Sequence, residues 1–336
     1  MRNLIRIGIA FIAIHSVSWA DNFYAGRTVT VIVGYGPGGG YDLNARLLAR
    51  HLGKHIPGNP NVVVQNMAGA GSVRAANYVF KSAVQDGTVI AAVNQTLPLY
   101  ALIGGEGIQF DPTKLQWLGS IEASNSVLVT FKSSTISNLA QAKERDVPLG
   151  GSGVGSDSNL HATALNNLLG TRFKVINGYQ GAGDIHLAME RGEVAGRAGI
   201  TWSSIVASNK RWLTENRINV LVQLGLSRDP DLPDAPLLTE LVSNPDDKQL
   251  ARLLTVPVAV GFAYWVGPNV DKERLGVLRT AFERVLSDKE FLADAAQSSM
   301  RLAPKSGAEI ETLLAETTKV SKSVLDRFAS MVRDGN

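Results

Sequence analysis

The feature that most limits what this chain can fold into is a local alternation near its start. Thr28-Val29-Thr30-Val31-Ile32-Val33 is a short run rich in β-branched side chains and reads as a buried strand. A glycine cluster follows, Gly34-Tyr35-Gly36-Pro37-Gly38-Gly39-Gly40-Tyr41-Asp42, and then residues 43–52, whose apolar side chains recur at helical spacing. Asp42 is placed to act as the N-cap of that helix. The order repeats, with 61–65 reading as a second strand, 72–82 as a helix and 89–93 as a third strand. Parallel strands need a crossover between them, usually a helix, so the alternation predicts a parallel, doubly wound α/β sheet.

Residues 126–130 open a second unit of the same kind. It holds a helix at 138–144, a glycine and serine turn at 150–158, a helix at 159–169, a strand at 174–177, a helix at 184–191 and a strand at 219–224. A proline-rich turn, Asp229-Pro230-Asp231-Leu232-Pro233-Asp234-Ala235-Pro236, comes next. Residues 257–266 are apolar but interrupted by Pro257 and Gly261, which suits a crossing strand better than a membrane helix. The tail, 272–332, reads as three helices with charged faces. No low-complexity linker separates the parts. The expected organisation is therefore two doubly wound domains joined by crossover strands. Domain 1 comprises 21–126 and 267–336, domain 2 comprises 131–257, and the crossover strands lie at 127–130 and 258–266.

The first twenty residues read as a signal peptide. Arg2 and Arg6 precede an apolar stretch from Ile7 to Val17, and Ser18-Trp19-Ala20 offers small residues at the cleavage positions. Cleavage after Ala20 and export are expected, because the apolar run is too short to span a bilayer comfortably. The chain has no cysteine, which excludes disulfides, thiolate metal sites and a lipid-anchoring cysteine. It carries 33 basic and 30 acidic residues, and without Arg2 and Arg6 the basic count falls to 31. No basic run exists and aromatics are not interleaved with basic residues, which argues against a nucleic-acid partner.

The strand, glycine turn and helix at 29–52 are also the strongest chemical signal. Glycines let a ligand approach the backbone, and the first amides of a helix are unpaired and sit at the positive end of its dipole. Gly34-Tyr35-Gly36-Pro37-Gly38-Gly39 formally satisfies the dinucleotide fingerprint, but the second strand ends Gln65-Asn66, where an acidic residue should hold the ribose. Proline in the motif also removes an amide. Anion binding, dinucleotide binding and a purely structural turn all remain open. A matching turn, Gly150-Gly151-Ser152-Gly153-Val154-Gly155-Ser156-Asp157-Ser158, precedes a helix in the second unit. Two such turns facing each other across a cleft would grip one anion from both sides, although ordinary strand-to-helix turns look the same.

Catalytic and metal arrangements are poorly supported. There is no G-x-S-x-G elbow and no H-E-x-x-H pair. His51 and His55 are four apart, but Pro57 and Gly58 end the helix, so they read as a solvated helix end rather than a metal site. No cofactor is expected. Arg197, between small residues at a strand end, either reaches a carboxylate with both arms of its fork or makes a surface ion pair.

These residues resemble the Bug-type extracytoplasmic solute receptors of tripartite tricarboxylate transporters, along essentially the whole mature length. The stretches that carry the resemblance are Tyr35 to Asp42, Gln65-Asn66-Met67-Ala68-Gly69-Ala70-Gly71, Asp86-Gly87, Gly153-Val154-Gly155-Ser156, Gly178-Tyr179-Gln180-Gly181 and Leu232-Pro233-Asp234-Ala235-Pro236. The resemblance implies a monomeric periplasmic-binding-protein-like receptor with a ligand cleft between hinged domains. It further implies delivery of a small organic carboxylate to integral-membrane permease subunits. The site it implies is Pro37, Gly38, Gly39 and Gly40, with Asn94, Gln95, Thr96, Gly153, Gly155, Ser156, Asp157 and Ser158; Tyr35, Asp42, Ala70, Gly71 and Gly181 from the same turns, and Arg197 from its own setting, complete the candidate set. Asn159 stands where many members have histidine, Ala195 where aspartate is usual, and the segment holding Arg197 and Trp202 departs from the commonest pattern. Those departures bear on ligand identity. A ligand-sensing receptor and a secreted α/β enzyme are the competing readings.

Overall fold

The computed structural model describes residues 23–317 and 319–334; the expected signal peptide lies outside the described residues. The first unit runs β1 (Thr28–Val33), α1 (Gly40–Leu52), β2 (Asn61–Asn66), α2 (Val73–Asn77), β3 (Val89–Ala92), α3 (Leu97–Leu102) and β4 (Gln116–Ser120). The second runs β5 (Ser126–Phe131), α4 (Leu139–Glu144), β6 (Val147–Gly150), α5 (Asp157–Leu169), β7 (Phe173–Ile176) and α6 (Ala182–Glu190). It continues through β8 (Gly196–Thr201), α7 (Trp202–Ser208), α8 (Lys210–Thr214) and β9 (Ile218–Leu224) to α9 (Leu238–Leu241) and α10 (Pro245–Val260). The chain then returns through β10 (Ala263–Val266), α11 (Lys272–Leu286), α12 (Lys289–Gln297), β11 (Lys305–Ser306), α13 (Gly307–Thr317) and α14 (Lys322–Asp334). The tail therefore holds four helices and a short strand, not three helices. Among the described residues no helix is long and apolar enough to cross a membrane.

The strands form two sheets, ordered β11-β4-β10-β3-β1-β2 and β7-β6-β8-β5-β9. β1 shows why a continuous apolar run was needed. Its Val29, Val31 and Val33 enter one core and Ile32 enters another, so both faces are covered. Fully burying each such side chain contributes about 1.5–3 kcal/mol relative to leaving it exposed.

The parallel expectation holds for most strands, but each sheet is mixed. β5 runs antiparallel to β8 and β9, and β10 runs antiparallel to β3 and β4. These are the two strands that receive the chain as it passes between sheets. The chain crosses at 121–125 and 261–262, not through the expected strands at 127–130 and 258–266, and crosses once more after α13, since α14 packs on α5 of the second unit rather than within the expected domain 1. Residues 127–130 lie inside the second sheet, and 258–260 close helix α10, which tolerates Pro257 in its interior. α10 packs on α13 and α14, and that packing outweighs the local proline signal. The crossing segments touch, since the Phe262 amide donates to the Glu122 carbonyl at 2.9 Å. Arg301 braces the same side by pairing with Asp229 and Asp231.

His51 and His55 are not at a solvated helix end. Their Nε2 atoms lie 3.0 Å from Asp294 and 2.8 Å from Asp288, because α12 docks against the end of α1.

Candidate functional site

A cleft of about 50 Å³ lies between the sheets, lined from both sides. A water molecule needs roughly 10–15 Å³ on the same measure, so the space suits a few waters or one small solute. From the first unit come Tyr35, Gly38, Gly39, Gly40 and Tyr41; from the second come Ser152, Asp157, Gly181, Ile185, His186, Arg197, Thr201, Ser204 and Asn209; Phe262 comes from a crossing segment.

The first wall is the start of α1. Gly39 occupies the N-cap position and has no side chain to cap with. Asp42 is therefore the third helical residue, a correction to its expected N-cap role, because the helix begins three residues earlier than the apolar spacing implied. Its carboxylate folds back to accept from the Gly38 amide at 2.9 Å, and also takes bonds from Arg46 and Asn66. Burial pushes the Asp42 carboxyl upward, but these bonds hold it below the usual carboxylate range. The Gly38 amide is thus used, leaving Gly39, Gly40 and the first helical amides at the cleft. Asn66, where a ribose-binding acid would stand, is committed to Asp42 and the Tyr35 carbonyl.

Close approach requires glycine here. A Cβ on Gly40 would lie 2.5 Å from Ser204 Oγ and 2.8 Å from Phe262 Cζ. The Gly36 amide donates to the Gln180 carbonyl at 3.0 Å, joining the two walls at the cleft mouth. Pro37 lies on this outer rim rather than in the cleft.

The second wall holds the charged groups. Arg197, on β8, is 7% exposed and makes no ion pair among the described residues. Its partners are long: Ala198 and Gly199 carbonyls at 3.5 and 3.4 Å, and His186 Nε2 at 3.5 Å. A guanidinium carries five N–H donors, and these three long contacts, with the nearby charge of Asp157, are what faces it here. Burial and the adjacent Arg197 push the His186 imidazole down to about 3, so it accepts from Arg197 as a neutral ring. Asn209 Nδ2, also at the cleft, is buried without a hydrogen-bond partner. Asp157 opens α5 and is 7% exposed; burial raises its carboxyl to about 6 although Arg197 opposes the rise.

Other expected residues sit behind these walls. Ala70, Gly71, Gly153, Gly155, Ser156 and Thr96 form the contact between the units, where the Gly71 amide donates to the Ser152 carbonyl at 3.0 Å and Thr96 Oγ1 donates to the Gly155 carbonyl at 3.1 Å. Ser156 caps α5, and its hydroxyl lies 2.7 Å from that of Ser158. Asn94 and Gln95 hold the cleft tyrosines: Asn94 Nδ2 donates to the Tyr35 hydroxyl, and the Gln95 amide donates to the Tyr41 hydroxyl at 2.8 Å. None of these eleven positions, Pro37 and Asp42 included, lines the cleft itself. Trp202 does not either; its indole N–H donates to Asp231 at 3.2 Å.

Sequence reasoning missed Tyr41, Ser152, Ile185, His186, Thr201, Ser204, Asn209 and Phe262. One signal was available for Thr201 and Ser204. Thr201 ends a strand and caps α7 by accepting from the Ser204 amide, the same strand-to-helix logic without the glycines. The structure also brings Ser126 Oγ within 3.3 Å of His161 Nδ1, but both residues are fully buried away from the cleft, so the pair meets no substrate.

Residues 44–329 match the tripartite tricarboxylate transporter family receptor. Protein BugT of Bordetella pertussis is 31% identical over 248 residues, covering 71% of this chain and 72% of its own length. Among solved structures, the periplasmic binding protein BugD superposes with a TM-score of 0.70 at 20% identity, covering 93% of this chain and 98% of BugD. MatC from Rhodopseudomonas palustris with bound malate gives 0.69 at 20% identity, covering 91% of this chain and 99% of MatC.

Proposed function

This chain belongs to the tripartite tricarboxylate transporter receptor family, a family of solute-binding receptors rather than enzymes, and from that membership we propose that it captures a small organic carboxylate for an integral-membrane permease. The observation that carries the ligand class is Arg197, a buried guanidinium in the cleft with no carboxylate in direct contact among the described residues. Opposite it stand the uncapped amides of α1, whose dipole also favours negative charge. Malate, bound in the MatC structure, is an anion of this class.

In this reading the two sheets and their flanking helices act as domains that close over the ligand about 121–125 and 261–262. His186 is the neutral acceptor that keeps the Arg197 fork aimed into the cleft. Export after cleavage at Ala20 places the protein in the periplasm.

Two measurements test the proposal. A native mass spectrum of the periplasmic protein is expected to show a chain beginning at Asp21 and carrying a small organic acid. With that acid, or with malate as probe, Arg197→Ala is expected to weaken calorimetric affinity roughly ten- to a hundredfold, since a charged hydrogen-bonding partner contributes about 1.5–3 kcal/mol. Equal affinities for the two proteins would remove Arg197 from the site.

A further inference from the structure

The carboxylate reading leaves one cleft residue unexplained. Asp157 places a second ionisable group in a cavity built for an anion, where it would repel the ligand it helps to enclose. Its charge and that of Arg197 favour each other across this space, but the two make no direct ion pair among the described residues. They flank the same glycine instead. A Cβ on Gly199 would stand 2.9 Å from Asp157 Cγ, and Arg197 Nη2 donates to the Gly199 carbonyl at 3.4 Å. Gly199 has φ +72°, so the chain turns there in a way that favours glycine, and the missing side chain lets both groups face one space.

We propose that Arg197 and Asp157 together select an acid that carries a hydrogen-bond donor on the carbon beside its carboxylate, that is, an α-hydroxy or α-amino acid. The inference rests on the carboxylate reading and deepens it. Arg197 takes the carboxylate, and Asp157 accepts from the neighbouring hydroxyl or ammonium. The donor turns the repulsion between Asp157 and a bound anion into a charge-assisted bond. An acid without the donor leaves Asp157 buried against its carboxylate.

Calorimetric titration of the full mature protein with two matched series tests this: succinate, malate and aspartate; propionate, lactate and alanine. Within each series the skeleton is constant and only the substituent beside the carboxylate changes. In at least one series the hydroxyl or ammonium member is expected to bind roughly tenfold or more tightly than the unsubstituted acid. Asp157→Ala is expected to abolish that preference while binding the unsubstituted acid as well as or better than the wild type. Asp157→Asn, which keeps the shape and removes the charge, guards against loss of fold and is expected to narrow the preference. Equal binding across a series by the wild type, or a preference that survives in Asp157→Ala, overturns the inference and leaves the carboxylate reading standing. Failure of all six acids to bind the wild type overturns both.

Discussion

At the residue scale the cleft is a place where charge is held out of water at a cost. Asp157 has its carboxyl raised from an ordinary value of 3.8 to about 6, with burial the larger cause and Arg197 the main opposing one. The groups facing it are Arg197 on β8, Tyr35 from the turn after β1, Tyr41 on α1 and Asn94 after β3. A raised pKa means the folded state holds the proton more tightly than the unfolded chain does. The stabilisation is complete below the unfolded value and is lost as pH rises through the folded one. For a shift of this size the loss between pH 4 and 7 is about 2 kcal/mol. The ligand-free wild type is thus expected to lose that much stability relative to Asp157→Asn over this range, read from urea melts at each pH. A difference that stays flat would mean the carboxyl is solvated.

At the element scale the turns decide more than the helices they lead into. Gly38 and Gly71 both have positive φ, +84° and +62°, but only Gly71 is crowded: a Cβ there would lie 2.6 Å from the Ser156 amide nitrogen in the other unit. Gly38→Ala should therefore cost about 1 kcal/mol, the conformational penalty alone. Gly71→Ala should cost at least twice that, because backbone must move at the contact between the units. Chemical denaturation of both variants distinguishes them, and equal losses would mean the junction yields freely. The first turn and the turn at 150–158 were legible in the sequence because a β-branched run, a glycine cluster and an apolar helical repeat reinforce one another. Arg197 was legible as a candidate because small residues flank it. The third turn, Thr201 to Ser204, was not, since it makes its approach with hydroxyls instead of glycines. Helix α10 was misread because Pro257 and Gly261 are local signals, whereas its helicity depends on α13 and α14, about fifty residues on. The positive φ of Ala70 and Ser72 is likewise imposed by the contact with Ser152 and Ser156, which no local pattern announces.

At the scale of the whole molecule the two units are joined across the cleft mouth by Gly36 and Gln180, and on the far side by 121–125 and 261–262. The two units thus touch on both sides of the cleft. Saturating ligand is expected to give a radius of gyration near 20 Å, the value for a compact chain of this length, with the ligand-free protein measurably larger by small-angle scattering. Equal radii in both states would rule out hinge closure on binding. The sheet orders also impose a schedule on how the chain is assembled. All five strands of the second sheet come from one continuous stretch, residues 126–224. The first sheet has β10 seated between β3 and β4, so its centre stays vacant until residues 263–266 return across more than 140 positions. Closing so long a loop adds entropy that the contiguous sheet does not face. The middle of the chain is thus expected to fold first and act as the template on which the two ends meet. Pulse-labelled hydrogen exchange during refolding should protect β5 to β9 ahead of β1 to β4, and the reverse order would refute this. A chain cut short between β9 and β10 would carry a finished second sheet beside a first one with its central strand missing. Such a fragment would expose the edges of β3 and β4, and with them a strong tendency to aggregate.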